Sequence, residues 1–249
     1  MGENVLKFGT YVRVGNAAEA YELLQKNRNN KIVGGGIWMR LGSRRVATAI
    51  DLSACGLDQI EETETEFRIG AMCTLRQLER HAELNALVNN VFEFAVHDIV
   101  GVQLRNTATV GGSIYGRFGF SDVLTLFLAL DAQVKLFKGG VLPLRQFLDR
   151  EEDGDILLSV LVKKGQAFAA YESMRNEAVD FPVLTAAVCL RDGQFTVSVG
   201  ARPGKARAYS VPETELSGEA DQRDEAVKAL TEKFTYGTNM RASAEYRKY

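Results

Sequence analysis

The short apolar segment Lys31-Ile32-Val33 runs without a break into Gly34-Gly35-Gly36-Ile37. Three glycines in a row neither extend a strand nor start a stable helix, because they lose much backbone entropy and pack no side chain. The segment is a turn, with two readings. Glycine N–H groups facing an anion, with no Cβ in the way, make a phosphate cradle; the alternative is a flexible tight turn. Neither G-x-G-x-x-G nor the P-loop pattern is matched, since no Lys-Ser/Thr pair follows. The surroundings read as a small α/β unit. Residues 4–14 alternate weakly, as a strand does. Asn16 caps a helix, with Glu19 at the capping-box position and Ala20, Leu23 and Leu24 on the apolar face. Ala47–Leu52 returns to strand. The order β-α-β-loop-β makes a first lobe over about residues 1–55.

A second lobe is expected over about residues 56–150. Phe67–Met72 reads as a strand, and Thr74 caps a helix with Gln77 at the capping-box position. Asn90–Val100 looks helical. Gly101–Asp122 is rich in glycine and has little periodicity, so it is expected to be either a functional loop or a segment with short strands of its own. Within it, Thr107-Ala108-Thr109-Val110-Gly111-Gly112-Ser113 groups hydroxyls with glycines. Those are the groups a phosphate or ribityl chain takes from a neutral site; a plain polar bend is the other reading. Two such loops in one chain point to a phosphate-bearing ligand between two lobes. Val123–Leu130 is an apolar run expected to be a buried helix, and Gln133–Phe137 alternates as a strand.

Residues 149–155, DREEDGD, form an acidic break, and a C-terminal domain is expected over residues 151–249. Its strand candidates are Ile156–Val162, Ala167–Tyr171, Leu184–Leu190 and Phe195–Gly200. Asp224–Phe234 reads as an amphipathic helix with Ala226, Val227, Leu230 and Phe234 on one side.

The composition narrows the chemistry. A length of 249 residues with 46% hydrophobic and 25% charged residues suits a globular chain with a sizeable core. A net charge of -2 with interspersed signs favours no nucleic-acid surface. No apolar run approaches the ~20 residues of a membrane span, and the N-terminal residues show no signal-peptide pattern; a cytoplasmic location is expected. Cys55, Cys73 and Cys189 are too few and too scattered for a disulfide framework or a metal cluster. His81 and His97 have no second ligand at metal spacing. No nucleophilic triad and no working pair of carboxylates stands out. Asp122 is read either as an N-cap or as a ligand-facing carboxylate. Trp38 and Tyr115, each just after a glycine loop, either cover a flat ring or pack in the core. Elaborate ligand loops without an acid or base fit a redox cofactor that brings its own chemistry.

The segments TATVGGSIYG and SDVLTLFLALDAQVKL resemble the pattern T-I-G-G-N-I … D … L-L-A-L-D-A-x-V of the FAD-binding (medium) subunits of molybdopterin hydroxylases, the xanthine dehydrogenase and carbon monoxide dehydrogenase type. Val33-Gly34-Gly35-Gly36-Ile37 is similar to that family's first glycine loop. FRIGAMCTLRQLE, YESMRNEAVDFPVLTAAVCL and RASAEYRKY resemble its strand–helix entry, its C-terminal motif and its last motif. The matches run in order along nearly the whole chain.

The resemblance implies an α+β fold: a two-lobed FAD-binding α/β domain, then a C-terminal domain of antiparallel sheet plus helices. It implies FAD between the lobes, with the pyrophosphate at Gly34, Gly35, Gly36 and Ile37, flanked by Ile32, Val33 and Trp38. Thr109, Gly111, Gly112 and Ser113 would complete the site. Asp122 would sit near the flavin nucleotide, Ile99 and Leu157 or Leu158 would be its apolar neighbours, and Tyr171 would pack near the isoalloxazine. No catalytic or metal-ligating residue is implied. The implied activity is electron transfer within a complex holding a molybdenum-cofactor subunit and a 2Fe-2S subunit, with NAD as a common acceptor.

Three features depart from the family pattern. Gly116-Arg117-Phe118-Gly119-Phe120 stands where a small-Pro segment is usual, so that loop is bulkier. Ser173 replaces a lysine. The chain also lacks the extra four-cysteine cluster of some relatives. The first two keep open a second reading, a flavin-fold interaction or assembly subunit that has lost electron transfer. A third reading, an unrelated mononucleotide-binding enzyme, uses the triple glycine alone.

Overall fold

Asn16 separates the first strand from the first helix: its side chain accepts the Glu19 N–H at 3.0 Å, while the Glu19 carboxylate accepts from Gly15 N–H. The computed structural model describes residues 5–43 and 45–249; Asn4, the start of the expected first strand, lies outside them. Strand β1 (Lys7–Arg13), helix α1 (Ala17–Lys26) and strands β2 (Lys31–Val33) and β3 (Arg45–Asp51) form the first lobe. The three strands are parallel, in the order β1-β3-β2. Val14, Ala20, Ile50 and Leu52 make its small core, with Leu23, Leu24 and Ile32 packed around them. The weak alternation of β1 does not reflect a buried face. It is an edge strand, and Phe8 and Tyr11 are exposed.

The second lobe is built on an antiparallel sheet. Its elements are β4 (Ile60–Glu62), β5 (Glu66–Gly70), α2 (Leu75–Arg80), α3 (Ala82–Leu87), α4 (Val91–Val96), α5 (Val102–Arg105), α6 (Val110–Tyr115), α7 (Asp122–Ala129), β6 (Gln133–Leu136), β7 (Gly140–Pro143), α8 (Leu144–Asp149) and β8 (Leu157–Lys163). The strand order is β4-β5-β8-β6-β7. Strand β8 lies beyond the acidic break at 149–155 and yet pairs with both β5 and β6. Thr74 and Gln77 form a complete capping box at α2: Thr74 N–H donates to Gln77 Oε1 at 2.8 Å and Gln77 N–H to Thr74 Oγ1 at 3.2 Å.

Gly101–Asp122 is neither an irregular loop nor a set of short strands. It carries α5 and α6, each too short to display a hydrophobic period in sequence. The helix expected over Asn90–Val100 ends at Val96, and Val100 takes a left-handed φ of 53°.

The remaining strands β9 (Ala167–Arg175), β10 (Pro182–Arg191), β11 (Gln194–Gly200) and β12 (Arg207–Pro212) form an antiparallel meander in the order β12-β11-β10-β9, followed by α9 (Ala220–Thr231) and α10 (Ala244–Lys248). Helix α9 starts and stops earlier than its apolar pattern suggests. Leu230 and Phe234 are buried, whereas Val227 is 40% exposed. The mixture of helices with separate sheets is the expected α+β architecture.

Helix α7 joins the layers, and all eight of its residues are buried. It packs against α4 and α6 on one side and the four-stranded sheet on the other. Thr125 Oγ1 and Thr185 Oγ1 meet at 2.9 Å across that junction. Full burial of Leu124, Leu126, Phe127 and Leu128 contributes about 1.5–3 kcal/mol each. This apolar helix fixes the second lobe to the C-terminal sheet, and its N-terminal residue, Asp122, faces the site described next.

Candidate functional site

The two glycine loops meet. A Cβ placed on Gly34 would stand 2.9 Å from Thr109 Oγ1, and one on Gly112 would stand 3.2 Å from the Gly34 carbonyl oxygen. Glycine at both positions lets the lobes touch backbone to backbone. Beside this contact lies a cavity of about 980 Å³, walled by both lobes and by the turn before β10. That volume falls in the upper range of small-molecule and cofactor sites.

Most of the residues expected at a site line this cavity: Ile32, Gly34, Gly36, Ile37 and Trp38 from the first lobe, Ile99, Thr109, Gly111, Gly112, Ser113 and Asp122 from the second, and Leu157 from β8. Four do not. Val33 stands behind the first loop. Gly35 turns onto the Thr107 carbonyl, where any Cβ would collide. Leu158 is next to Leu157 on a strand, so it faces the other way, into the first lobe's core. Tyr171 sits behind Asp122 and reaches the cavity only through it.

The loops differ in the groups they offer. Gly35 and Gly36 hold φ values of 73° and 69°, which L side chains rarely adopt. Among the described residues, no hydrogen bond uses the N–H of Gly35, Gly36 or Ile37. Arg28, Lys31 and Arg40 line the same cavity. Free N–H groups and cations in one cavity suit a phosphate or pyrophosphate. In the second loop the donors are already used. Val110 N–H binds Cys73 O, Gly111 N–H binds Ala71 O, Gly112 N–H binds Thr109 Oγ1 at 3.1 Å, and Ser113 N–H binds Thr109 O. That loop therefore contributes shape, and its donors are not available as the sequence suggested. The reason is that Thr109 caps α6.

Asp122 is neither an N-cap nor a free carboxylate. Ser121 caps α7. Asp122 Oδ1 accepts from Tyr171 OH at 2.5 Å and from Arg175 Nη2 at 2.5 Å. Burial pushes Asp122 above the ordinary carboxylate range, with Arg175 and Tyr171 working against the shift. Burial, the Asp122 charge and their hydrogen bond hold the Tyr171 phenol well above its usual value. The hydroxyl stays protonated and donates. Arg175 also donates to the Asp180 carbonyl, while its Nε is buried without a partner. Sequence reasoning missed Arg175 because its pairing with Asp122 crosses from β9 to α7, and no local pattern signals that contact.

Four aromatic rings also line the cavity. Trp38 lies 5.3 Å from Phe118, 4.8 Å from Phe120 and 5.5 Å from Phe181, centroid to centroid, and Phe118 stacks on Phe120. The bulk expected of the Gly116–Phe120 loop is thus directed into the site. Phe181 carried no sequence signal of its own.

The titratable groups singled out in the sequence have structural partners. Burial pushes the Cys73 thiol up to about 12, which leaves it inert. His81 caps α3 by accepting the Leu84 N–H. Among the described residues, no three His, Cys, Asp or Glu side chains gather as a metal site, and no helix is long and apolar enough to cross a membrane. The cradle, the cations and the aromatic surface fit a dinucleotide that carries an aromatic ring.

Comparison with known proteins agrees. The FAD binding domain in molybdopterin dehydrogenase matches residues 6–163. The uncharacterized protein YgfM of Escherichia coli (strain K12) is 25% identical over 249 residues, covering 96% of this chain and 90% of its own length. The xanthine dehydrogenase/oxidase of Gallus gallus is 26% identical over 211 residues, which is 74% of this chain and 15% of that protein. Among solved structures, a carbon monoxide dehydrogenase from Hydrogenophaga pseudoflava superposes with a TM-score of 0.86 at 21% identity, over 97% of this chain and 92% of that one. Quinoline 2-oxidoreductase from Pseudomonas putida 86 gives 0.82 at 18% identity, over 96% and 90%; at these identities the likeness is one of fold. The matched length, more than half of the chain, places it in a family: this protein belongs to the FAD-binding domains of the molybdopterin dehydrogenases.

Proposed function

We propose that the chain is the flavin subunit of a molybdenum hydroxylase complex, taking electrons from iron–sulfur centres on a partner and handing them to an acceptor such as NAD. The observation that carries this reading is the inter-lobe cavity, lined by the glycine loop with its unpaired N–H groups and by a cluster of aromatic rings around Trp38. The named relatives support it, being a carbon monoxide dehydrogenase, a quinoline oxidoreductase and a xanthine dehydrogenase/oxidase. A molybdenum-cofactor subunit and a 2Fe-2S subunit are the partners this reading requires, since no described group of this chain is built to hold a metal.

When bound, FAD supplies one- and two-electron redox chemistry. The chain's own residues bind and orient it. Gly36 and Ile37 offer N–H groups to the pyrophosphate, and Gly35 holds the turn in shape. Gly34, Thr109, Gly111, Gly112 and Ser113 form the surface against which the dinucleotide lies. Ile99 and Leu157 are apolar neighbours, and Trp38 faces a flat ring. Asp122, fixed by Tyr171 and Arg175, supplies the polar wall. We place the end of the FAD-binding portion at Lys163, because β8 completes its sheet, and begin the C-terminal domain at Ala167. A cytoplasmic location suits three free thiols.

One observation favours the second reading, an assembly subunit without electron transfer: the four rings pack on each other inside the cavity. The visible spectrum of the purified protein separates the two. Flavin bands that bleach with dithionite support electron transfer, and a colourless, well-folded protein that stays colourless after incubation with FAD supports the assembly role.

A further inference from the structure

The C-terminal tail closes on the wall of the same cavity. Asn239 and Ala242 form a bridge, and Ser243 caps α10 by accepting the Tyr246 N–H at 3.1 Å. Arg247 then turns inward and is only 3% exposed. Its guanidinium donates to the carbonyls of Val183 at 2.8 Å, Gly237 at 2.7 Å and Ala242 at 2.6 Å, and to Asn239 Oδ1 at 2.6 Å. None of these acceptors is a carboxylate. A cation removed from water in this way is tolerated only while its donors stay filled, so the tail and the start of β10 are held in one arrangement. Gly237 N–H fastens the beginning of the tail to the Arg202 carbonyl.

Val183 follows Phe181 and Pro182, which line the cavity. From the tail, Arg241 lays its guanidinium over the Phe181 ring, 4.8 Å from the centroid. Phe181 meets Phe120 at 4.9 Å and Trp38 at 5.5 Å. A continuous line of contacts runs from the last residues of the chain to the aromatic cluster. Helix α10 is short and exposed, and its only deeply buried side chain is Arg247.

We propose that Arg241 and Arg247 are positioning residues of the FAD site, holding Phe181 in the aromatic cluster with Trp38 and Phe120 so that the face this cluster turns to the cavity receives a flat ring of the dinucleotide. This rests on the assignment of FAD to the cavity. Phe181 touches the ring, and the two arginines act through it.

The chain carries its own reporter, because Trp38 is the single tryptophan of its 249 residues. Its emission reads the cluster without cofactor, and FAD titration reads affinity. Arg241→Ala is expected to shift Trp38 emission in the apo protein and to weaken FAD binding about fivefold or more, with the melting temperature near that of the wild type. Arg241→Lys is expected to recover both, since an ammonium keeps a cation over the ring. Phe181→Leu, which removes the ring and keeps apolar bulk, is expected to match Arg241→Ala. Arg247→Lys leaves acceptors unfilled and is expected to add a lower melting temperature to the same two changes. A wild type that binds FAD while Arg241→Ala and Phe181→Leu bind it equally well, with unchanged Trp38 emission, overturns the proposal alone. A wild type that binds no FAD overturns the cofactor assignment and the proposal together.

Discussion

Gly112 and Gly34 touch across the two lobes, with the Gly34 carbonyl oxygen 3.2 Å from where a Gly112 Cβ would be. The floor of the cavity is thus a backbone-to-backbone seam, and its width is set by the absence of side chains.

Gly112→Val should open that seam. Gly112 lies within α6 at an ordinary helical φ, so backbone strain plays no part. The branched side chain must displace Thr109 Oγ1 or the Gly34 carbonyl. FAD affinity is expected to fall by about 2 kcal/mol or more, roughly thirtyfold, while far-ultraviolet circular dichroism stays close to wild type. Unchanged affinity in a flavin titration would show that the second loop does not shape the site.

Glu79 should control acid stability. Its carboxylate accepts from Arg105 Nε at 2.8 Å and Arg105 Nη2 at 3.2 Å, and pairs with Arg76 at 2.7 Å. Arg105 is buried and also donates to the carbonyl of the cavity residue Ile99 at 3.3 Å. Burial works to raise the Glu79 pKa, but the hydrogen bonds and charges of Arg105 and Arg76 outweigh it, so the pKa is lowered. The sign follows from linkage. The unfolded chain binds the proton more readily, so this contribution is complete above the ordinary glutamate value and is lost as pH falls through the lowered native one. Glu79→Gln is expected to cost about 3 kcal/mol at neutral pH and to flatten the acid side of the stability curve. Parallel acid unfolding curves for variant and wild type would contradict this.

The site was partly legible in the sequence. Gly34–Ile37 and Thr109–Ser113 could be singled out because glycine runs and hydroxyl groups leave local signals, and the family resemblance gave Asp122 a place. The use of the second loop's N–H groups by Thr109, Ala71 and Cys73 could not be read, because it depends on how α6 docks on the β5–α2 junction. Leu157 and Leu158 could not be told apart until the pleat of β8 fixed which one faces the cavity. Short elements such as α3, α5, β7 and α8 lack enough residues to show a period. The apolar run of α7, by contrast, was evident from its residues alone. Arg175, Phe181 and Arg247 lie in segments that carry the resemblance, but their contacts reach far in sequence, so no local pattern assigns them a role.

Turnover should depend on partners. The described residues form no metal site, and the carboxylate Asp122 in the cavity wall is tied up by Tyr171 and Arg175, so the chain is expected to oxidise no xanthine-like, aldehyde or heteroaromatic substrate alone. Purification from the native host should yield a stable complex containing molybdenum and iron, active in substrate oxidation. A lone chain that turns over such substrates unaided would contradict the subunit reading.

The most direct measurement is the identity of the nucleotide that the pure chain holds. A cradle for a pyrophosphate favours FAD over FMN, because FMN carries a single phosphate. After saturation with an equal mixture of FAD and FMN, removal of free ligand and acid extraction, chromatography should show FAD as the dominant species, and Trp38 emission should be quenched in the loaded protein. Mainly FMN, or no flavin at all with Trp38 emission unchanged, would contradict the assignment of the inter-lobe cavity to FAD.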